Sequence, residues 1–117
     1  MAFTKEELDQ YQKVVSAYVE KRRPPVHLRN QVDLSFRIEN QSIEIFEIRP
    51  GFKDPQSVVE IPIAKTTWVK SQKVWRVFWQ RADMKWHRYP PLPEVKSLQE
   101  FIDAVEADEL ACFMANT

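Results

Sequence analysis

The sequence predicts one α+β domain over residues 1–117: an N-terminal helix, a curved antiparallel sheet of about five strands and a C-terminal helix. Helix-capping signatures lie near both ends of the chain, and the segment between them alternates between apolar and polar residues as strands do. Three of the four tryptophans fall within residues 74–91. Because large aromatic faces are costly to leave in water, we expect the helices to pack on the tryptophan-rich face of the sheet.

The N-terminal helix begins at a capping box. Thr4 is followed three residues later by Glu7, and Phe3 and Leu8 occupy the positions of a hydrophobic staple. Apolar residues then recur at three- and four-residue spacing, as on the buried stripe of a helix. The prolines at 24 and 25 cannot continue a helix, so the arginines just before them are interpreted as a helix end rather than a ligand clamp.

A second capping box, Ser97 with Glu100, begins the C-terminal helix, which we expect to run to about Asp108. Apolar residues at helical spacing follow it: Leu98, Phe101, Ile102 and Val105. The segment LACFMANT after this helix is apolar enough to dock on the domain. Cys112 lies in that segment, where a small buried hydrophobe is a more common role than a nucleophile.

The strands have recognisable boundaries. VDLSFRI (32–38) alternates strictly, ENQS (39–42) is a turn, and IEIFEI (43–48) returns. The alternation of the returning strand changes phase, and a β-bulge near Ile45 and Phe46 would bring its four apolar side chains to the core side. Pro62 confines the early part of the third strand to an edge or an irregular entry, because proline lacks the N–H that a central strand needs.

Loop lengths decide which way the side chains of the last strands point. We expect a turn at Ser71 and Gln72 and a four-residue loop over 81–84. A three-residue loop at Ala82 would exchange the faces, but Ala82 and Asp83 form a poor primed turn. The favoured registers give these cross-strand pairs: Trp68 with Trp75, Trp79 with Trp86, Phe78 with His87, and Arg76 with Tyr89.

With these registers all four tryptophans share one face with Val77 and Met84, and that face is assigned to the core. The opposite face is basic with aromatic rings among the charges, so rings can stack on bases while cations meet phosphates or carboxylates. The predicted binding residues are Arg76, Phe78, Lys85, His87 and Tyr89, with Lys65 and Thr67 beside them. The alternative is an ordinary half-exposed sheet face held by cross-strand pairs.

Composition limits the functions that remain. The 17 basic and 17 acidic residues balance, which argues against a protein that coats DNA, although seven Lys or Arg against one Asp between Lys65 and Arg88 leave room for a locally basic face. A single glycine excludes P-loop and dinucleotide fingerprints. His27 and His87 match no zinc spacing. We therefore predict no cofactor, no metal ligands and no catalytic residues.

One cysteine, no signal-peptide pattern and no apolar stretch long enough to span a bilayer predict a cytoplasmic protein without a membrane segment. Three functions stay open. The first is a non-catalytic module that binds single-stranded nucleic acid or an acidic protein. The second is a metal-dependent nuclease using four carboxylates on or beside adjacent strands: Asp33, Glu44, Glu47 and Glu60. The third is a structural protein that forms a homodimer through an edge strand.

The run RPPVHLRNQVDLSFRIENQSIEIFEIRP, followed by the segment from IAKTTWVK to ELACF, resembles a small bacterial family known as domain of unknown function 3024 (DUF3024). The tryptophan-rich hairpin with KWHRY is the most specific part of the likeness. The resemblance implies a stand-alone bacterial protein of about this length. It implies no activity, ligand or catalytic residue.

Overall fold

The computed structural model describes residues 3–51, 53–54, 56–81 and 83–107. The expectations for Asp108, the LACFMANT segment and Cys112 lie outside these residues. Within the described ranges, two α-helices and six strands follow one another: α1 (Lys5–Arg22), β1 (Asp33–Glu39), β2 (Ser42–Pro50), β3 (Val58–Val69), β4 (Val74–Gln80), β5 (Trp86–Arg88), β6 (Glu94–Val95) and α2 (Leu98–Ala107). A short 3₁₀ helix, Val26–Leu28, which was not predicted, lies between α1 and β1.

The strands form one antiparallel sheet in the order β1-β2-β3-β4-β5, with β6 also pairing with β4. The predicted α+β fold is confirmed. Both helices pack on one face of this sheet, which we call the covered face. The buried core contains residues of both helices and of the covered face, among them Val15, Tyr18, Ile43, Ala64, Trp75, Val77, Phe101 and Val105.

Helix α1 begins and ends where its sequence signals place it. The Thr4 N–H donates to Glu7 Oε1 at 2.9 Å and the Glu7 N–H donates to Thr4 Oγ1 at 3.2 Å, which completes the capping box. Phe3 packs against Tyr11 and Trp75. At the other end Arg23 is extended, as the residue before a proline prefers to be.

Helix α2 keeps half of the predicted capping box. The Glu100 N–H donates to Ser97 Oγ at 3.2 Å, while the Glu100 carboxylate accepts the Ser97 hydroxyl at 3.3 Å. Four core residues, Leu98, Phe101, Ile102 and Val105, are buried at the predicted helical spacing. Over the described part of the chain, neither helix combines the length and the apolarity that crossing a membrane requires.

The register of β2 and β3 changes at the predicted place, but the extra residue belongs to β3. The flanking pairs are Ile45 with Ala64 and Phe46 with Pro62. Ile63 lies between them as the bulged residue, whereas β1 and β2 pair without interruption. Phe46 and Ile48 therefore stay on the face opposite Ile45, and the prediction that a bulge turns them to the core side is wrong. The Phe46 ring instead packs under the Arg37 guanidinium, 4.4 Å from its centroid.

The two later hairpins differ in how well the sequence predicted them. Trp68 pairs with Trp75 across β3 and β4, as expected. The register of β4 and β5 is one residue away from the favoured prediction. The observed pairs are Phe78 with Arg88, Trp79 with His87, and Gln80 with Trp86. The cause is a three-residue loop: the Arg81 N–H donates to the Lys85 carbonyl at 3.2 Å, and Met84 takes the left-handed conformation with φ 66°.

Candidate functional site

The face of the sheet away from the helices, which we call the open face, is built from two rows of side chains. Paired residues of antiparallel strands lie on the same side of a sheet, so the registers define the rows directly. One row crosses the sheet through Arg37, Glu44, Lys65, Phe78 and Arg88. The next crosses it through Glu39, Ser42, Thr67, Arg76 and Glu94.

Only two of the five predicted binding residues lie together on the open face. Arg76 and Phe78 are there as expected. Lys85 lies in the loop before β5, and His87 is on the covered-face side because it pairs with Trp79. The position across β4 from Arg76 is held by Glu94 of β6, not by Tyr89. The predicted set of five residues is therefore wrong as a single surface, and the reason is the odd length of the β4–β5 loop.

Tyr89 belongs to the core. Its side chain is 1% exposed, and its N–H donates to the Val77 carbonyl at 2.9 Å as the chain leaves β5. Together with Ala104 and Ala107 of α2 it lines a small cavity of about 110 Å³. The ring that the sequence assigned to ligand binding thus fixes the Tyr-Pro-Pro-Leu-Pro segment to the second helix.

Trp86 takes the place on the open face that was predicted for His87. The Lys65 ammonium lies 5.6 Å from the centroid of the Trp86 ring and 6.0 Å from that of Phe78, within the range of cation–π contacts. Both rings are only partly buried. Sequence reasoning missed Trp86 because a single-residue change in loop length moves it to the other face.

One local signal could have indicated the shorter loop. Asp83 Oδ1 accepts the Lys85 N–H at 2.9 Å, and Asp83 Oδ2 lies 2.9 Å from His87 Nε2. Asp is a residue whose side chain commonly bonds the backbone two residues later in a tight turn. These two contacts, the backbone one first, lower the pKa of the Asp83 carboxyl. His87 is thus engaged at the hairpin tip, away from the open face.

Two cations of the open face, Lys65 and Arg76, form no salt bridge with the described residues, and one nitrogen of Arg76 is buried. Its buried Nε–H donates no hydrogen bond to the described residues, and none of its guanidinium nitrogens forms a salt bridge with them. The nearest cross-strand carboxylate, Glu94, bonds Arg88 instead, at 2.8 Å. The Arg76 guanidinium lies on the same face of β4 as Phe78, two positions away, and its charge is not paired with a carboxylate of the described residues, so it is suited to receive an anion.

The remaining charges of the open face are largely paired. Arg37 bonds Glu60 and Arg88 bonds Glu94, so these two cations are already neutralised. The contact with Glu60 raises the pKa of Arg37 further. Glu44 lies across from Arg37 in the register, although the hydrogen bond of Arg37 goes to Glu60. Lys65 on β3 and Arg76 on β4 form no salt bridge with the described residues, although Glu44 lies across from Lys65 in the register. We call Lys65, Arg76, Phe78 and Trp86 the aromatic–basic patch.

A family model matches this chain over residues 3–115, and its description is Domain of unknown function (DUF3024). The chain belongs to this family. The search of curated proteins and the search of solved structures each gave no match. Membership in DUF3024 confirms the resemblance found in the sequence, and it assigns no activity to the aromatic–basic patch.

The four carboxylates considered for a metal-dependent nuclease do not converge on one site in this DUF3024 chain. Glu47 lies on the covered-face side with its carboxylate on Arg49 at 3.3 Å, whereas Glu44 and Glu60 are on the open face. Asp33 accepts two hydrogen bonds from Arg23, both at 2.9 Å, which lower the pKa of its carboxyl. In the described ranges no three His, Cys, Asp or Glu side chains come close enough to hold a metal ion.

A separate cleft of about 660 Å³ opens at the end of the covered face. It is lined by Phe3, Thr4, Glu7, Gln41, Trp68, Lys70 and Lys73. Thr4 and Glu7 are already bonded to each other in the capping box. The cleft therefore offers a partly exposed indole and two lysines, and it is the second place on this DUF3024 chain where a flat anionic ligand could be tested.

Proposed function

We propose that this chain is a single-domain, non-catalytic binding module, and that the aromatic–basic patch binds single-stranded nucleic acid. The observation that carries the proposal is the juxtaposition of two partly exposed rings, Phe78 and Trp86, with two cations that have no carboxylate partner among the described residues, Lys65 and Arg76. Proteins that bind single strands use this combination, because bases stack on rings while phosphates meet cations.

A cation and a ring lie side by side on neighbouring strands of the patch. Lys65 of β3 pairs with Phe78 of β4, and neighbouring strands are about 4.8 Å apart. An acidic protein segment would satisfy the cations but would leave the two rings without flat partners, which is why nucleic acid is the favoured ligand.

The patch is small, so we expect weak and salt-sensitive binding. Two unpaired cations that neutralise two phosphates give a slope of about −1.4 in a plot of log affinity against log salt concentration for a single strand. Each stacked base adds about 1–3 kcal/mol. The net charge of zero fits a binder with one local patch rather than one that coats nucleic acid.

The test is a fluorescence-anisotropy titration of labelled single-stranded DNA and RNA at several salt concentrations, with three proteins. Wild type should bind with the slope given above. Arg76→Glu should weaken binding by at least tenfold and reduce the slope by about 0.7, the share of one phosphate. Lys13→Glu is the matched control, because it makes the same change in net charge on an exposed position of α1 and should bind as wild type does.

Two further results would separate the ligand classes. Phe78→Leu keeps an apolar side chain but removes the π-face, so it should weaken nucleic-acid binding about 5- to 150-fold. Polyglutamate serves as the acidic-peptide probe and should compete poorly. If polyglutamate competes as strongly as the unlabelled oligonucleotide, and if Phe78→Leu binds as wild type does, then the ligand is an acidic protein and not nucleic acid. Equal loss in Arg76→Glu and Lys13→Glu would show that the patch is not the site.

The bacterial cytoplasm is the location that we propose for this activity. The resemblance on which the family assignment was first based implies a bacterial protein, and a chain with one cysteine cannot form an internal disulfide. Fractionation of cells that express the tagged full chain checks this, and recovery outside the cytoplasmic fraction would contradict it.

A further inference from the structure

The first half of β3 has an unpaired edge. β3 pairs with β2 from Val58 onward, but its pairing with β4 begins only at Lys65. No other described strand lies beside residues 58–61. This edge is also the most apolar exposed part of the sheet: Val58 is 72% exposed, Val59 44% and Ile61 39%. Exposed strand edges of this kind are templates for pairing with another strand.

The direction of the backbone groups at this edge follows from the ladder. The Gly51 N–H donates to the Ser57 carbonyl at 3.0 Å, so Ser57 directs its carbonyl toward β2. Because antiparallel strands alternate, Val59 and Ile61 also bond β2, whereas Val58 and Glu60 direct their N–H and C=O groups outward. Pro62 agrees with this assignment, since its missing N–H falls at an outward position.

A second copy of the chain fits this edge in one register. A two-fold axis normal to the sheet keeps the helices of both copies on the same side, and it places identical residues opposite each other at the centre. With Val59 opposite Val59 of the second copy, Val58 of each chain lies across from Glu60 of the other. These are the residues with outward backbone groups, so each pair exchanges two hydrogen bonds, four in total.

The neighbouring registers are less favourable. Centring the axis on Glu60 would place two carboxylates directly opposite each other, which destabilises a sheet. Centring it on Val58 would require the Gln56 N–H as a donor, but that N–H already bonds Asp54 Oδ1 at 3.0 Å. The bulge at Ile63 ends the pairing on one side, so the ribbon is confined to about four residues.

We propose that two copies of this chain associate through the unpaired edge of β3, with Val59 at the two-fold axis. The contact is short, which makes it a reversible dimer rather than a permanent one. In this dimer the two sheets join into one continuous sheet, and the open faces of both copies lie on the same side of it. The inference does not rest on the proposed function, since it concerns the edge and not the aromatic–basic patch.

Sedimentation equilibrium of the full chain tests the association. Wild type should show a concentration-dependent mass between monomer and dimer. Val58→Pro removes an outward N–H without touching the ladder to β2 and should weaken the dimer by about tenfold or more, because the bond is lost twice. Val58→Ala is the control that keeps the N–H and should weaken it less. A monomer at every concentration, or a dimer that Val58→Pro leaves unchanged, overturns the proposal.

Disulfide trapping tests the register, and it remains decisive if Val58→Pro fails to fold. In a Cys112→Ser background, Val59→Cys should form a covalent dimer under mild oxidation, because the two positions face each other at a non-hydrogen-bonded pair. Glu60→Cys should not, since the two copies of residue 60 lie diagonally at about 7–8 Å, too far for a disulfide. The reverse result would refute this register.

Discussion

Two aromatic residues three positions apart, Trp86 and Tyr89, test the register of the β4–β5 hairpin through their effects on stability. Tyr89 is 1% exposed, so Tyr89→Ala leaves a cavity in the core, and replacement of a buried aromatic ring by alanine costs about 3–5 kcal/mol. For a chain of 117 residues each kcal/mol lowers the Tm by about 4 °C, which gives a fall of about 12–20 °C. Trp86 is partly exposed and loses mainly its contact with Lys65, so Trp86→Ala should cost about 1 kcal/mol.

Urea unfolding followed by far-UV circular dichroism measures both variants, because removing a tryptophan changes the fluorescence signal itself. Both variants keep the wild-type hairpin loop, so the difference between their free energies of unfolding reports only which ring is buried. If Trp86→Ala is the more destabilising of the two, the three-residue loop is wrong and the four-residue register, with Trp86 in the core, is restored.

Three other predictions concern local contacts. Arg23 bonds Asp33 and lowers the pKa of its carboxyl, so the pair stabilises the fold at pH values above the ordinary carboxyl pKa of 3.8 and loses that effect as the pH falls. In urea unfolding, Asp33→Asn should be less stable than wild type at about pH 7, and the difference should shrink as the pH falls below that ordinary value. Ser97→Ala removes the acceptor for the Glu100 N–H and should lower the free energy of unfolding by about 1 kcal/mol, whereas Ser97→Asp keeps an acceptor there and should lose less. Lys73 has φ 55°, so Lys73→Gly should raise the Tm while Lys73→Ala should not; equal effects would contradict a left-handed residue there.

The helices and the first hairpins could be predicted because their determinants are local. The capping residues of both helices, the alternation of β1 and the proline that ends α1 each act within a few positions of the chain. The Trp68–Trp75 pair also followed from a turn of even length. In these elements the residue type and its nearest neighbours determine the conformation.

The faces of β5 and of the end of β2 could not be predicted, because the side-chain period in a strand is two. One residue more or less in the β4–β5 loop exchanges Trp86 and His87 between faces. The local turn residues favoured the four-residue loop, and they do not display that Tyr89 is buried in the core. The bulge was located correctly, but which of the two strands contains the extra residue depends on cross-strand packing that the sequence does not display.

The candidate site therefore retains its chemistry but changes its members. Arg76 and Phe78 were predicted in it and remain. Lys65 joins them through its contacts with both rings, and Trp86 replaces His87 and Tyr89. The revised patch has fewer cations than the sequence suggested, since Lys85 lies in the loop and Arg88 is paired with Glu94. With fewer cations on this face, we expect binding to be weak and localised.

The four tryptophans supply the most direct test of the proposed function, because each occupies a different environment. Trp86 lies on the open face, Trp68 in the cleft at the end of the covered face, Trp75 in the core, and Trp79 beside the core. A ¹H–¹⁵N correlation spectrum of the labelled chain resolves one indole N–H signal for each of them. Titration with a short single-stranded oligonucleotide should shift the Trp86 signal first and leave Trp75 unchanged. A shift of Trp68 with Trp86 unchanged would move ligand binding to the cleft and contradict the assignment of function to the open face.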